Sequence, residues 1–174
     1  MNDRASKTTD THDVVDLLTE QHRRLEGLLG ALQESQKPVE RAALLRRAGD
    51  ELAVHISSEE VVFYPAVHAL RTEDILLESL EEHLSLKRLL ADLLELPAND
   101  ETFQPKCKVL QEQAEHHHKE EEEHLFPEVR RLFKKDLREG LAAQVRAHQD
   151  GLRAAAQPPR EGVKSQTDAA EPLP

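Results

Sequence analysis

The chain has 174 residues, a length that predicts one folded domain. It carries 23 Lys and Arg against 34 Asp and Glu, a net charge of −11 that argues against nucleic-acid binding, because phosphate affinity comes from clustered Lys and Arg. The single cysteine, Cys107, excludes an internal disulfide and a multi-cysteine metal site. The polar N-terminus shows no signal peptide, and no apolar run approaches the ~20 residues of a membrane span. We therefore expect a cytoplasmic protein without membrane contact.

Four long segments place apolar residues at alternating steps of three and four, the spacing of one helix face. They run from about residue 13 to 36, 38 to 66, 73 to 96 and 103 to 131, and the predicted core-facing stripe of the second segment includes Val62 and Ala66. Such faces pack together in a four-helix bundle, so the predicted fold is all-α.

A weaker fifth segment, about residues 136–155, predicts a short C-terminal helix that packs against one end of the bundle. Its apolar residues are Leu137, Leu141, Val145 and Leu152. The predicted domain thus covers residues 12–155, with disordered polar tails at residues 1–11 and 156–174.

The chain repeats itself at an offset of about 62 residues. The segment from His55 to Pro65 matches the segment from His117 to Pro127, and the residues leading to His22 match those leading to His83. Each half therefore brings one lone histidine and one His-x-x-x-Glu pair, which predicts a bundle with pseudo-two-fold symmetry.

Six polar residues interrupt the apolar faces near the middle of the helices. On a helix, residues four apart lie on the same side about 6 Å apart, so the His and Glu of each pair converge. One explanation is a hydrogen-bonded core network. We favour a site for iron, manganese or zinc, because burial of unpartnered polar groups is costly and the six occur in matched sets. Two ions fit better than one, since each receives two imidazoles with both carboxylates free to bridge. The six are His22, His55, Glu59, His83, His117 and Glu121.

Five further residues are candidates for additional or outer contacts with the metal: Glu26, Glu60, Lys87, Glu122 and His124. Glu26 lies four residues after His22, with a simply exposed position as the equal alternative. Lys87 lies four residues after His83, so its stem points to the apolar face unless Leu86 occupies that place.

The histidines around the second pair need separate interpretation. His124 occupies the repeat position of Val62, so it is a candidate for the border of the metal pocket. His116 and His118 lie about 100° to either side of His117 on a helix, which favours solvent-facing or outer roles over ligation.

Four segments of the chain, in this order and spacing, resemble the hemerythrin family, and most closely its bacterial HHE cation-binding domains. The resemblance covers about residues 14–131. The segments are Asp16-Leu17-Leu18-Thr19-Glu20-Gln21-His22-Arg23-Arg24, His55-x-x-x-Glu59-Glu60-x-x-Phe63-Tyr64-Pro65, Glu82-His83, and His116-His117-x-Lys119-Glu120-Glu121-Glu122-x-x-x-Phe126-Pro127.

The resemblance implies an up-down-up-down bundle around an oxo- or hydroxo-bridged non-haem di-iron centre, with zinc or manganese as substitutes. It implies that His22 and His55 ligate one iron, while His83 and His117 ligate the other. Glu59 and Glu121 are then the bridging carboxylates.

One departure separates the chain from the oxygen-carrying hemerythrins, which have a fifth histidine on the third helix and an aspartate on the fourth. The corresponding residues are Lys87 and Glu121. Without that histidine the two irons are expected to be equally coordinated, and an ammonium group at the site would stabilise an anionic peroxide. We therefore predict oxidation by O₂ or peroxide rather than reversible O₂ carriage.

The predicted function is the binding or reduction of small oxygen species (O₂, peroxide or NO) in a stress response, with enzymatic turnover left open. The partner is then a small diatomic or peroxide ligand, and a monomer is favoured. The alternative is an iron-storage module, or an iron or O₂/NO sensor, without turnover. Iron–sulfur repair ranks lower because hemerythrin-like repair proteins carry an additional Cys-bearing domain. A structural bundle that binds zinc is a third class.

Overall fold

The computed structural model describes residues 13–68 and 73–169, and every regular element in these ranges is helical. The four long helices, α1, α2, α4 and α5, confirm the predicted bundle. In chain order the helices are α1 (Val14–Glu34), α2 (Pro38–Ser58), α3 (Tyr64–Val67), α4 (Glu73–Glu95), α5 (Phe103–Glu120), α6 (Phe126–Leu132), α7 (Lys135–Ala154) and α8 (Pro159–Val163).

The bundle closes as a ring in which α1 contacts α2 and α5, and α4 contacts α2 and α5. Its first helix begins at Asp13, whose carboxylate accepts hydrogen bonds from the backbone N–H of Val15 at 2.9 Å and of Asp16 at 3.2 Å. The same carboxylate pairs with Arg138 on α7 at 2.7 Å. Burial alone would raise the pKa of Asp13, but the hydrogen bonds and the Arg138 charge lower it. This N-cap thereby also fastens α7 to the bundle.

Two five-residue π-helical segments, Glu59–Phe63 and Glu121–Leu125, interrupt the regular helix at equivalent points of the repeat. In each, a backbone N–H donates to the carbonyl five residues earlier, as from Tyr64 to Glu59 and from Phe126 to Glu121. A proline, Pro65 or Pro127, is the second residue after each segment. Its ring lacks an N–H and clashes with the carbonyl four residues earlier, which disfavours the regular pattern.

The π segments also change which side chains face the core. Because a π turn holds one residue more than an α turn, the face beyond it rotates by about 100°. Phe63, Tyr64 and Val67 are consequently buried, whereas the predicted core residues Val62 and Ala66 are half-buried and exposed, respectively. That part of the predicted stripe was wrong.

Two apolar clusters lie on either side of a polar layer that crosses the bundle. On α1, Leu18 belongs to one cluster and Leu25 to the other, with His22 between them. The same order recurs on α4 around His83. The polar layer is therefore enclosed from both ends by apolar packing.

The C-terminal part differs from its prediction in two respects. Leu141 and Val145 of α7 are buried as predicted, but Leu137 is 54% exposed. Residues 156–169 differ from the expected disordered tail, since α8 packs Val163 into an apolar cluster and Arg160 pairs with Asp50 of α2 at 2.7 Å. The expected N-terminal tail, residues 1–11, lies outside the described residues. Within the described part of the chain, none of the helices has the length and apolar character needed to cross a membrane.

Candidate metal centre

All six residues predicted as metal ligands are buried in the polar layer, each with at most 2% of its surface exposed. Glu59 lies at the centre of the layer. Its Oε1 is 3.2 Å from Nε2 of His55, and its Oε2 is 3.2 Å from Nε2 of His83. Glu121 approaches from the opposite side, with Oε2 at 3.2 Å from Nε2 of His22. Two buried carboxylates thus lie among four imidazoles.

The donor atoms fall into two groups that share a carboxylate. One group brings together His22, His55, Glu59 and Glu121, with one donor atom from each residue within 4.8 Å of every other. The other brings together Glu59, His83 and His117 on the same criterion. This division matches the expected one, in which α1 and α2 supply one pair of imidazoles and α4 and α5 the other.

The four imidazoles point the same nitrogen inward, because an oxygen atom outside the layer engages Nδ1 of each ring. Glu122 binds His22 at 2.8 Å, and Glu60 binds His83 at 3.1 Å. Gln21 binds His55 at 3.0 Å, and Glu82 binds His117 at 2.8 Å. When a ring is neutral and its Nδ1–H donates outward, Nε2 is the nitrogen that faces the centre, the arrangement found at histidine metal ligands. Nε2 of His83 and Nε2 of His117 lie 2.9 Å apart. Glu60 and Glu122 therefore have the outer role that the sequence suggested.

Helix α7 supports this arrangement through Gln149, a contact that the sequence analysis did not anticipate. The Gln149 amide donates to Gln21 Oε1 and to Ser58 Oγ, both at 3.0 Å, and accepts from Gln21 Nε2 at 3.0 Å. Gln21 is consequently fixed in the orientation that accepts the His55 Nδ1–H. The fifth helix thus has a direct structural connection to the centre.

For His118 the structure contradicts one of the two predicted alternatives, a solvent-facing position. The side chain is 1% exposed, and one of its ring nitrogens lies within 4.8 Å of donor atoms of His22 and His55. Its ring stacks on His22 with centroids 4.0 Å apart, and its Nδ1 contacts Glu26 Oε1 at 3.2 Å. His116 does face solvent and pairs with Glu82 at 3.4 Å. Glu26 is thus an outer partner of a histidine.

Lys87 and His124 do not border the donor atoms of the centre. Lys87 is buried on α4, but its ammonium pairs with Glu60 Oε2 at 2.7 Å, so it reaches His83 only through that carboxylate. His124 is 53% exposed and pairs with Glu120 at 3.4 Å. Its predicted place beside the pocket was wrong because the π segment turns this position outward.

An aromatic residue caps each half of the centre. Tyr64 stacks on His83, with ring centroids 5.4 Å apart, and Phe126 stacks on His22 at 5.5 Å. The Tyr64 hydroxyl donates to Glu121 Oε1 at 2.8 Å and lies 3.3 Å from His83 Nε2. Burial, with the two nearby carboxylates, raises the pKa of Tyr64 well above its usual value, so the hydroxyl keeps its proton.

The buried carboxylates govern the protonation of the cluster. Burial opposes ionisation of Glu59, but the imidazole of His55 and those of His117, His22 and His83 around it lower its pKa well below the usual value. Burial likewise lowers the pKa of His22 and of His117, yet the surrounding glutamates outweigh it and raise the pKa of His117 to about 10. Burial lowers the pKa of His55 to about 3. The anionic Glu59 thus attracts positive charge into the layer, which a bound cation would supply.

Several buried donor and acceptor atoms at the centre have no hydrogen-bond partner among the described residues. Leaving such atoms unpaired costs about 1–3 kcal/mol each, so a cluster of them requires an explanation. Nitrogen and carboxylate oxygen donors aimed at common points fit a transition-metal ion. The residues therefore fit the metal that the fold implies. The atoms are His22 Nε2, His55 Nε2, His118 Nε2, both carboxylate oxygens of Glu59, and Glu121 Oε2.

Comparisons with known proteins agree with this chemistry. A crystal structure of a hemerythrin HHE cation-binding domain-containing protein from Mycobacterium kansasii superposes with a TM-score of 0.71 and 22% sequence identity, covering 87% of this chain and 99% of that one. At this identity the likeness shows the fold alone. No curated protein sequence matches significantly. The family model of the hemerythrin HHE cation-binding domain matches residues 13–128, and the chain therefore belongs to that family.

Proposed function

We propose that the polar layer holds two iron ions and that the protein binds or reduces small oxygen species. His22 and His55 hold one ion, His83 and His117 hold the other, and Glu59 and Glu121 serve both. The observation that supports this most strongly is the convergence of buried, inward-facing nitrogen and carboxylate atoms, most of which lack a hydrogen bond within the protein. A hydrogen-bonded network, the competing explanation, would satisfy these atoms within the protein.

Iron in this position supplies one-electron redox chemistry toward O₂, peroxide or NO. The protein's own contribution begins with exclusion, because ligands that are at most 2% exposed leave no room for a bulky substrate. The apolar clusters on both sides keep bulk water away from the layer. The ligand is therefore a diatomic molecule or a peroxide.

Proton positions in the layer are also fixed by the chain. An outer oxygen atom engages Nδ1 of each ligand imidazole, so Nε2 is the nitrogen that faces the centre and would bind metal. The Tyr64 hydroxyl retains its proton and directs it to Glu121 Oε1. This hydroxyl also lies 3.3 Å from His83 Nε2.

The sequence provides two arguments against reversible O₂ carriage, an ammonium group at the site and the lack of a fifth histidine, and the structure supports neither. Lys87 is engaged by Glu60, so its ammonium does not contact a ligand at the centre, and a fifth histidine, His118, does lie in the layer. The reaction of the ferrous protein with O₂ or peroxide therefore distinguishes oxidation from reversible carriage. We expect peroxide to oxidise two ferrous ions to ferric, with two protons consumed and two water molecules released.

Anaerobic reconstitution with ferrous iron, followed by stopped-flow mixing with hydrogen peroxide or O₂, tests this function. We expect near-ultraviolet absorption of a ferric pair to develop, with one peroxide consumed for two ferrous ions. His124→Ala, at an exposed position that pairs with Glu120, is the control and should react as the parent does. Iron bound without oxidation would favour storage or sensing, and an oxygenated form that reverts on degassing would show reversible carriage.

A further inference from the structure

The 62-residue repeat is broken at His118, whose counterpart in the first half is Ile56. Ile56 is buried in an apolar cluster, so the equivalent position in the second half is expected to be apolar as well. An imidazole in that place is equally buried, at 1% exposed. The substitution therefore adds a polar group to the interior on one side of the polar layer only.

His118 has the same orientation as the four histidines already assigned. Glu26 engages its Nδ1 at 3.2 Å, and Arg23 holds Glu26 in turn through contacts of 2.8 and 2.9 Å. Its Nε2 is buried without a partner, as are those of His22 and His55. A core histidine with a purely structural role would have both ring nitrogens engaged.

We propose that His118 is a third imidazole ligand on the His22 and His55 side, so that the two metal positions are inequivalent. One position then has three imidazoles from α1, α2 and α5, while the other has two, from α4 and α5. The inference depends on the proposed two-ion centre and adds to it an order of binding. Its extra nitrogen comes from α5, whereas in the oxygen carriers the additional histidine belongs to the third helix.

The inequivalence has a direct consequence for metal uptake. A site with three imidazoles binds first-row divalent ions more tightly than one with two, since each added ligand increases the affinity. The His22 side therefore fills first, and the His83 side second. The position with fewer protein ligands, next to the Tyr64 hydroxyl, keeps the open coordination place where a small molecule binds.

Titration of the full metal-free chain with Co²⁺, followed by visible absorption and calorimetry, tests the inference. We expect two unequal binding steps in the parent protein. His118→Ile, which restores the residue of the first half, should retain two ions at saturation but weaken the tighter step at least tenfold and alter its Co²⁺ spectrum. His124→Ala, an exposed histidine that pairs only with Glu120, should leave both steps unchanged.

The variant His118→Gly, which leaves a cavity at this position, distinguishes the loss of a metal ligand from a defect in folding. Added imidazole should restore the tight step and its spectrum in His118→Gly, as a detached ligand can occupy the cavity. Unchanged affinities and spectra in His118→Ile, or a lost step that imidazole does not restore, would overturn the ligand role of His118 and leave the two-ion centre intact. Failure of the parent protein to bind two ions would instead contradict the proposed function.

Discussion

The two halves of the repeat form the centre from the same parts in the same order. The first residue of each π-helical segment, Glu59 or Glu121, places its carboxylate in the layer. The next residue, Glu60 or Glu122, contacts Nδ1 of a histidine in the other half. Gln21 and Glu82, related by the repeat, each hold the histidine of the neighbouring helix. Where the halves agree, they define a scaffold that positions imidazoles around shared carboxylates.

Three of the differences between the halves lie close to the donor atoms. Tyr64 has a hydroxyl on Glu121, whereas Phe126 has none. Glu82 is a charged partner of His117, whereas Gln21 is a neutral partner of His55. His118 replaces an isoleucine. The comparison teaches that symmetry sets where metal can bind, while the departures make the two positions chemically distinct.

The largest expected effect comes from removing a shared carboxylate, which breaks what the halves have in common. Glu59→Ala and Glu121→Ala should each lower bound iron from two ions to one or none, measured by elemental analysis after reconstitution. The holo protein should also lose its metal-linked stability, about 4 kcal/mol at free metal a thousandfold above Kd. Glu123→Ala, an exposed neighbour, is the control. Parent-like iron content in both carboxylate variants would refute the shared role.

Glu82→Gln gives His117 the same kind of outer partner that His55 has in Gln21, and so tests whether this difference distinguishes the two metal positions. A carboxylate raises the basicity of an imidazole more than an amide does, and changes in such outer partners shift metal affinity by about 10–100-fold. Glu82→Gln should therefore weaken the step on the His83 side, measured by Co²⁺ titration. Glu81→Gln, exposed on the same helix, should not. A parent-like Co²⁺ titration of Glu82→Gln would show that the Glu82 charge does not tune that position.

Tyr64→Phe makes the first half resemble the second at the aromatic position. Loss of the hydroxyl leaves Glu121 Oε1 buried without its donor, which should cost about 1–3 kcal/mol of unfolding free energy in the metal-free protein. Urea denaturation measures the change. If the variant is as stable as the parent, the hydrogen bond contributes nothing net and the aromatic difference concerns packing alone.

The smallest expected effect is the loss of stability when a cation that pairs with Glu60 or Glu122 is replaced. Lys87 pairs with Glu60 in a largely buried place, whereas Arg23, which pairs with Glu122, is 57% exposed. Exposed pairs contribute about 0.2–1 kcal/mol, so Arg23→Met should change stability by less than Lys87→Met, which we expect to cost about 1 kcal/mol. Thermal unfolding of both variants in the metal-free state compares their losses of stability. Equal losses would contradict the prediction that the more buried ion pair contributes more.

Much of the fold and most of the centre could be predicted from the sequence. Apolar spacing located all four bundle helices because their faces are buried along their length. The pairs His55 and Glu59, and His117 and Glu121, were recognisable since polar residues at buried positions require partners. Their repetition at a fixed offset carried the assignment to both halves.

The rest depended on local geometry that helical periodicity does not contain. The π segments shift the buried face by one residue, so extrapolating an α pattern misplaced Val62 and, through the repeat, His124. His118 was missed because its angle of about 100° from His117 suggested an outer face. The usable signal was its equivalence to Ile56, a position that the apolar core would be expected to fill.

Iron stoichiometry per chain tests the central claim most directly. Metal-free full-length protein, reconstituted anaerobically with excess ferrous iron and freed of unbound metal, should contain two iron ions per chain by elemental analysis. Mössbauer spectra of that sample should show two sites in equal amounts. One ion per chain, or none, in a folded protein would contradict the account and favour the hydrogen-bonded network of histidines and glutamates.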